Sequence, residues 1–165
     1  MNLANLSSPE SNTVVVNKIK LLSFPIGKLN AALHIDVVQK VVNFATVYGS
    51  GLNHYGIATI EGEEITVIDL HKKFFNTPSI FEGEDKKYLL LAENSTGERF
   101  GIIVTNTPSL YDIAIKDIRA LPPSYRQVDT FKIASHVTMV TEEEQQKTIF
   151  ILDPDELIAP INTKK

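Results

Sequence analysis

Apolar and polar positions alternate in short runs along most of the chain, and glycine, proline, asparagine and acidic clusters punctuate them. A period of two with that punctuation predicts β-strands joined by tight turns. Lys20 to Ile26 puts Leu22, Phe24 and Ile26 on one face, and Gly27-Lys28 turns the chain into Leu29 to Ile35. Asp36 is expected to cap one helical turn through Val37, Val38 and Gln39, after which Val41 to Thr46 resumes as strand. Tyr48 to Asn53 reads as a loop by its glycines. Two apolar arms ending at Ile60 and starting at Ile65 then flank Glu61-Gly62-Glu63-Glu64, the tip of a predicted hairpin. Leu70 to Phe75 has the length of one or two helical turns, and Phe75 to Ser79 breaks it.

Residues 80–86 read as a connection, and a second series of the same kind follows. Strands are predicted over Tyr88 to Glu93, Arg99 to Val104 and Leu110 to Ile115, with a turn at Asn94 to Gly97 and a loop at Leu121 to Ser124. Phe131 to Val140 and Thr148 to Leu152 form a last hairpin around Thr141 to Gln146. Asp153 caps a terminal helix with Pro154 at its first position and Glu156 three residues after the cap, and Pro160 ends it. About ten short strands with little helix indicate a β-barrel or sandwich. Both halves run strand, turn, strand, strand, hairpin, short helix, which suggests two similar small barrels. Residues 1–17 read as a flexible leader and 161–165 as a polar tail.

A chain of 165 residues with 43% apolar and 22% charged side chains can bury a core without disulfides, and it has no cysteine to make one. That removes thiolate catalysis and Cys-ligated zinc, and suits a reducing cytoplasm. Net charge is −4, so nothing draws the chain as a whole toward nucleic acid or anionic lipid. The sequence contains no apolar run of membrane-spanning length and no signal-peptide pattern at its start.

Chemistry-bearing clusters are sparse. Four histidines, His34, His54, His71 and His136, show no metal-ligand spacing; His54, beside the glycines, is the best placed for a special role. Glu61, Glu63, Glu64 and Asp69 could hold a hard cation or work as an acid pair, but the calcium-loop spacing is missing. Exposed carboxylates at a hairpin tip are more often solvated, or read by a partner. Glu142-Glu143-Glu144 reads as a solubilising turn that protects a strand edge. Phosphate-binding glycine loops and nucleophile elbows do not occur. The protein reads as one that works by surface contact, with no cofactor.

Residues 18–160 resemble the CheW-like family, the coupling proteins of bacterial chemosensory arrays. Gly56 to Leu70, GIATIEGEEITVIDL, follows the family's G-V-I-N-L-R-G-x-V-I-P-V-V-D-L without a gap, with Gly56, Gly62, Asp69 and Leu70 identical. Phe24 to Ile35, Val38-Gln-Lys-Val-Val42, Tyr88 to Glu93, Phe100 to Val104 and Ile149 to Pro154 resemble further family segments in the same order. The resemblance implies a mainly β fold of two intertwined five-stranded SH3-like barrels with short helices, and a boundary near 80–86. It implies a cytoplasmic, non-enzymatic adaptor between methyl-accepting receptor tips and the regulatory domain of a CheA-type histidine kinase. Partner contacts are then expected at Val38, Lys40, Val41, Gly56, Ile57, Glu61 and Gly62.

The departures from the family pattern concentrate on charge. Glu61 replaces the family's Arg before the glycine, and Lys40 replaces the Glu of V-R-E-V-L; Thr59 and Thr66 replace an Asn and a Pro. If Lys40 and Glu61 face each other, they form an ion pair of swapped sign that keeps local geometry and alters partner choice. Val38 and Ile60 fall in core phase, Val41 and Ile57 in the opposite one. Two other readings stay open at this level: a divergent regulator of pilus-based motility with a non-standard partner, and a small barrel metal binder or hydrolase using Glu61, Glu63 and Glu64.

Overall fold

A computed structural model describes residues 17–49, 54–77, 86–126 and 132–158. Within them the chain forms twelve strands: β1 (Lys18–Ile26), β2 (Leu29–His34), β3 (Val38–Asn43), β4 (Tyr48–Gly49), β5 (Tyr55–Ile60), β6 (Glu63–Ile68), β7 (Lys87–Glu93), β8 (Arg99–Thr105), β9 (Ser109–Ala114), β10 (Arg119–Ala120), β11 (Ala134–Glu142) and β12 (Gln145–Leu152). Short helices α1 (Leu70–Phe75), α2 (Pro123–Arg126) and α3 (Pro154–Leu157) and two 3-10 turns, Ile35–Val37 and Ile115–Asp117, complete them. The architecture is mainly β, two sheets with short helices, as the sequence led us to expect.

The first sheet runs β10-β11-β12-β2-β1-β9 and the second β3-β7-β8-β6-β5-β4. Each has five strands of ordinary length plus a two-residue edge strand, β10 or β4. Read from the short edge, the two sheets share one pattern: hairpin, parallel step, hairpin, antiparallel edge. The parallel steps are β12 on β2 and β6 on β8. Each half of the chain thus lends its opening hairpin, β1–β2 or β7–β8, to the sheet built by the other half. Strands on both sides of residues 80–86 lie in the second sheet, so a boundary there separates the two repeats and not the two sheets. The chain changes sheet at Ile35–Val37 and again between β8 and β9.

This exchange explains where apolar residues go. Ala58, Ile60, Ile65, Val67, Leu89 and Leu91 fill the inside of the second sheet. Leu21, Ala32, Ile113, Ile149 and Ile151 fill the inside of the first. The opposite phase of the same strands makes a third, shared core, in which Phe24 and Leu33 meet Ile68, Leu90, Phe100, Ile102 and Leu152. Strands buried on both faces read as near-continuous apolar runs, and Tyr88 to Ala92 shows it. Leu22 packs partly buried beside Phe24 and Ile26, on the face the alternation assigned to it, while Leu21 points to the other core.

Several local expectations need correction. The 3-10 turn starts at Ile35, and its cap is His34, whose Nδ1 accepts from the Asp36 amide at 3.1 Å. β3 begins at Val38 and ends at Asn43, earlier than expected at both ends, because backbone pairing with β7 does not require apolar side chains on an exposed face. Tyr48–Gly49 pairs with Ile57 and Gly56 where a loop was expected. Pro123–Arg126 is a helical turn, and the last hairpin turns within Glu143-Glu144, its strands running on through polar residues. Of the two expected Asp caps only Asp153 holds, accepting from the Asp155 amide at 2.9 Å; Asp69, for which no cap was expected, caps α1 by accepting from the Lys72 amide at 3.2 Å. The leader up to residue 16, the loop at 50–53, the break at 78–79, the connection at 80–85, Phe131, Pro160 and the tail lie outside the described residues.

Candidate partner-binding surface

The seven expected contact residues all belong to the second sheet or its hairpin tip, but they do not form one compact site. Lys40 and Glu61 come together: Lys40 Nζ donates to both carboxylate oxygens of Glu61, at 2.7 and 2.8 Å. β3 is an edge strand and Glu61 lies at the β5–β6 tip, so this pair ties one end of the sheet closed across 21 residues of sequence. Both side chains are largely exposed, which leaves the pair open to solvent screening. The Lys40 contact holds the Glu61 carboxyl below the usual carboxylate range, first through the hydrogen bond and then through its charge.

Turn geometry sets the position of Glu61. Glu61 and Gly62 both have positive φ, 53° and 84°. Two consecutive residues of that kind make the mirror-image turn whose twist matches a hairpin, with glycine preferred at the second position. Next to this tip a polar chain runs along the sheet. Arg99 pairs with Glu63, its Nε donates to Gln39 Oε1 at 2.8 Å, and Gln39 Nε2 donates to Glu93 Oε1 at 3.1 Å. Gln39 is the extra residue of a bulge, since Val38 faces Ala92 and Lys40 faces Leu91. Arg99, Gln39 and Glu93 had no signal in the sequence, because a bulge cannot be read from alternation alone.

Val41 and Ile57 are more than a third exposed, against 7% for Ile60, which lies inside the sheet. Val38 is half-buried against the shared core, so it supports the surface from below. Ile57 stands opposite Tyr48, at 69% the most exposed large apolar side chain among the described residues. Tyr48 was hidden from sequence reading by the neighbouring glycines. Gly56 is required where it stands: a Cβ there would fall 2.5 Å from Val47 Cγ1 and 2.8 Å from the Tyr48 carbonyl oxygen. The short edge strand β4 can therefore lie against β5 only over a glycine. Lys40, Glu61 and Gly62 form one cluster; Gly56 and Ile57 form another with Tyr48.

The acidic turn does not gather. Glu61 and Glu63 diverge onto Lys40 and Arg99, and no three His, Asp or Glu side chains meet at metal-binding distance among the described residues. His54 lines a cavity of about 260 Å³ with Phe44, Val47, Tyr55, Val67 and Lys72. Its Nε2 is buried without a hydrogen-bond partner among the described residues. Burial, then Lys73 and Lys72 nearby with Asp69 opposing, holds its pKa below the ordinary histidine value.

A sequence model of the CheW-like domain matches residues 20–161. A search of curated proteins returned no match. Among solved structures, the fold is similar to the scaffolding protein TtCheW from Thermoanaerobacter tengcongensis. The two chains are 22% identical over 90% of this chain and 98% of that one, with a TM-score of 0.69.

Proposed function

Because the chain belongs to the CheW-like domain family, we propose that it is a non-enzymatic adaptor of chemosensory signalling. In this reading it couples methyl-accepting receptor tips to the regulatory domain of a CheA-type histidine kinase. A cytoplasmic location goes with that role, and among the described residues no helix is long and apolar enough to cross a membrane. The contact surface is assigned to Val41, Ile57 and Tyr48 as apolar anchors and to Lys40 and Glu61 as a charged rim, with Val38, Gly56 and Gly62 fixing their backbone.

The observation that carries this reading is the Lys40–Glu61 pair, with exposed Val41 next to Lys40 on β3 and exposed Ile57 in the separate cluster with Gly56 and Tyr48. The pair is made although both signs are reversed from the family pattern. The reversal therefore preserves the fold of the tip while presenting opposite charges to whatever docks there. A like-charge mismatch across an interface is an effective way to reject a wrong partner. The protein is thus assigned a dedicated receptor and kinase set.

Binding to the kinase regulatory domain and receptor tip from its own cell tests both parts. A complex should form, and Val41→Asp or Ile57→Asp should weaken it about tenfold or more, as expected for an interface anchor, without changing circular dichroism. Absence of any complex overturns the adaptor reading. Lys40→Glu with Glu61→Arg should improve binding to a standard receptor and kinase pair, and each single change should weaken it. Indifference of all three variants sinks the specificity assignment alone.

A further inference from the structure

The cavity at His54, about 260 Å³ in volume, has Phe44, Val47, Val67 and Ile103 as its apolar lining. An apolar cavity of about 150 Å³ takes a benzene ring, so this one has room for a single ring carrying a small substituent. The lining runs from Val67, which is buried, to Gly49, which is exposed, so the cavity reaches solvent.

His54, Asp69 and Lys72 supply its polar lining. Two bonds hold these three residues together. The Asp69 amide donates to the His54 carbonyl at 2.8 Å, and Asp69 Oδ1 accepts from the Lys72 amide at 3.2 Å. His54 Nε2 is buried with no hydrogen-bond partner among the described residues. Such a nitrogen costs stability, so its presence calls for a group that it can bind. Lys72 and Lys73 form no ion pair with another described residue. After burial itself, the charge of Lys73 does most to lower the His54 pKa, and Lys72 adds to it against Asp69. Two lysines thus outweigh one aspartate around the ring, and the Asp69 carboxylate is already engaged at the cap of α1. Net positive charge, a buried hydrogen-bonding nitrogen and an apolar lining match a small molecule that is hydrocarbon at one end and acidic at the other.

We propose that this cavity binds a one-ring aromatic carboxylate, with the ring against Phe44, Val67 and Ile103 and the carboxylate accepting from His54 Nε2 and Lys72 Nζ. His54 donates in its Nε2–H tautomer, and Lys72 supplies the charge. Val47 and Gly49 line the same cavity on either side of Tyr48, so the bound ligand braces the edge strand that carries this residue. The proposal does not rest on the adaptor reading.

Benzoate is the probe, titrated into the full chain and followed by NMR at the methyl groups of Val47, Val67 and Ile103 and at the His54 ring. Saturable shifts confined to the lining residues are expected, with a Kd of about 1 mM or tighter. Benzyl alcohol keeps the ring without the charge, and acetate keeps the charge without the ring; each should bind about tenfold more weakly. Lys72→Met and His54→Phe should each weaken benzoate about tenfold, in chains whose unliganded spectra match the parent away from the cavity. Lys116→Met, beside the first sheet, should leave binding unchanged. Failure to saturate by about 10 mM benzoate overturns the proposal, and so does equal affinity for benzyl alcohol. Shifts that spread over surface lysines and ignore Lys72→Met also overturn it, and mark an adventitious ion only.

Discussion

The β5–β6 and β11–β12 hairpins hold equivalent places in the two sheets, and they solve the same turn differently. Both turn in two residues with positive φ, Glu61-Gly62 at 53° and 84°, Glu143-Glu144 at 53° and 66°. Both lead through a buried residue, Ile68 or Leu152, into an Asp-capped helix. The first tip uses glycine at the second position and is tied by Lys40, which reaches over from β3. The second has glutamate there and is tied at Glu142, just before the turn, whose carboxylate accepts from Lys147 of its own hairpin at 2.9 Å and from the Tyr111 hydroxyl of β9 at 3.0 Å. One tip is thus joined to the sheet edge by charge and the other by a neutral donor and a local pair. Repeated topology fixes the turn, while the side chains that secure it are free to diverge and to specialise.

The two halves meet in the shared core. Ile68→Ala and Leu152→Ala truncate equivalent residues, each at most 3% exposed, that meet in one cluster. Each should lower stability by about 2–5 kcal/mol in urea unfolding, and both within a single transition because the core is common. Two separate transitions would mean that the halves fold independently, against the exchange of hairpins described above. A smaller effect separates the hairpins themselves. Gly56 and His136 sit at matching register positions, opposite Val67 and Ile151. Gly56→Ala should cost about 1–3 kcal/mol, because the new methyl meets a backbone carbonyl. His136→Ala, at an exposed site, should stay within about 0.5 kcal/mol. Equal costs would show that β4 moves away freely, and that Tyr48 is not held in place by Gly56.

These contrasts also show what the sequence could convey. The longer strands and the Asp153 cap were legible because alternation and capping are local; the first cap fell to His34 instead of Asp36, and the Asp69 cap was not read. The pairing of halves was legible as a repeat of element order, yet not its consequence: which sheet receives β1–β2 is decided by burial of both faces, a long-range property. Lys40 and Glu61 could be named from the family pattern, and the sequence raised their contact only as a condition. Gln39, Arg99 and Glu93 stayed hidden because a one-residue bulge redirects side chains without leaving a mark in composition. Tyr48 stayed hidden because a two-residue strand next to glycines reads as loop.

The two turns also differ at their second residue, glycine in one and glutamate in the other. Glu144 at φ 66° is a β-carbon in a region that costs it energy, while Gly62 at 84° carries none. Glu144→Gly should raise stability by about 0.5–1 kcal/mol, and Gly62→Glu should lower it by a similar amount. Thermal unfolding of both variants decides the matter. If Glu144→Gly is neutral or destabilising, the glutamate side chain holds the second turn in a way the first turn does not need.

The smallest expected difference lies in acid. Lys40 holds the Glu61 carboxyl below its ordinary 4.5, and Lys147 followed by Tyr111 does the same for Glu142. The unfolded chain takes up these protons near 4.5, while the folded one resists until lower pH. Both ties therefore stabilise fully above that value and fade as pH falls through the depressed folded values. Lys40→Met removes the main cause of the first shift; Lys147→Met leaves Glu142 its bond from Tyr111. The fall in urea midpoint from about pH 5 to pH 3 should flatten more in Lys40→Met than in Lys147→Met, and both differences should shrink in salt because the groups are exposed. Equal flattening would mean that the Tyr111 hydroxyl gives Glu142 no support, and that the second tip, like the first, is held by its lysine alone.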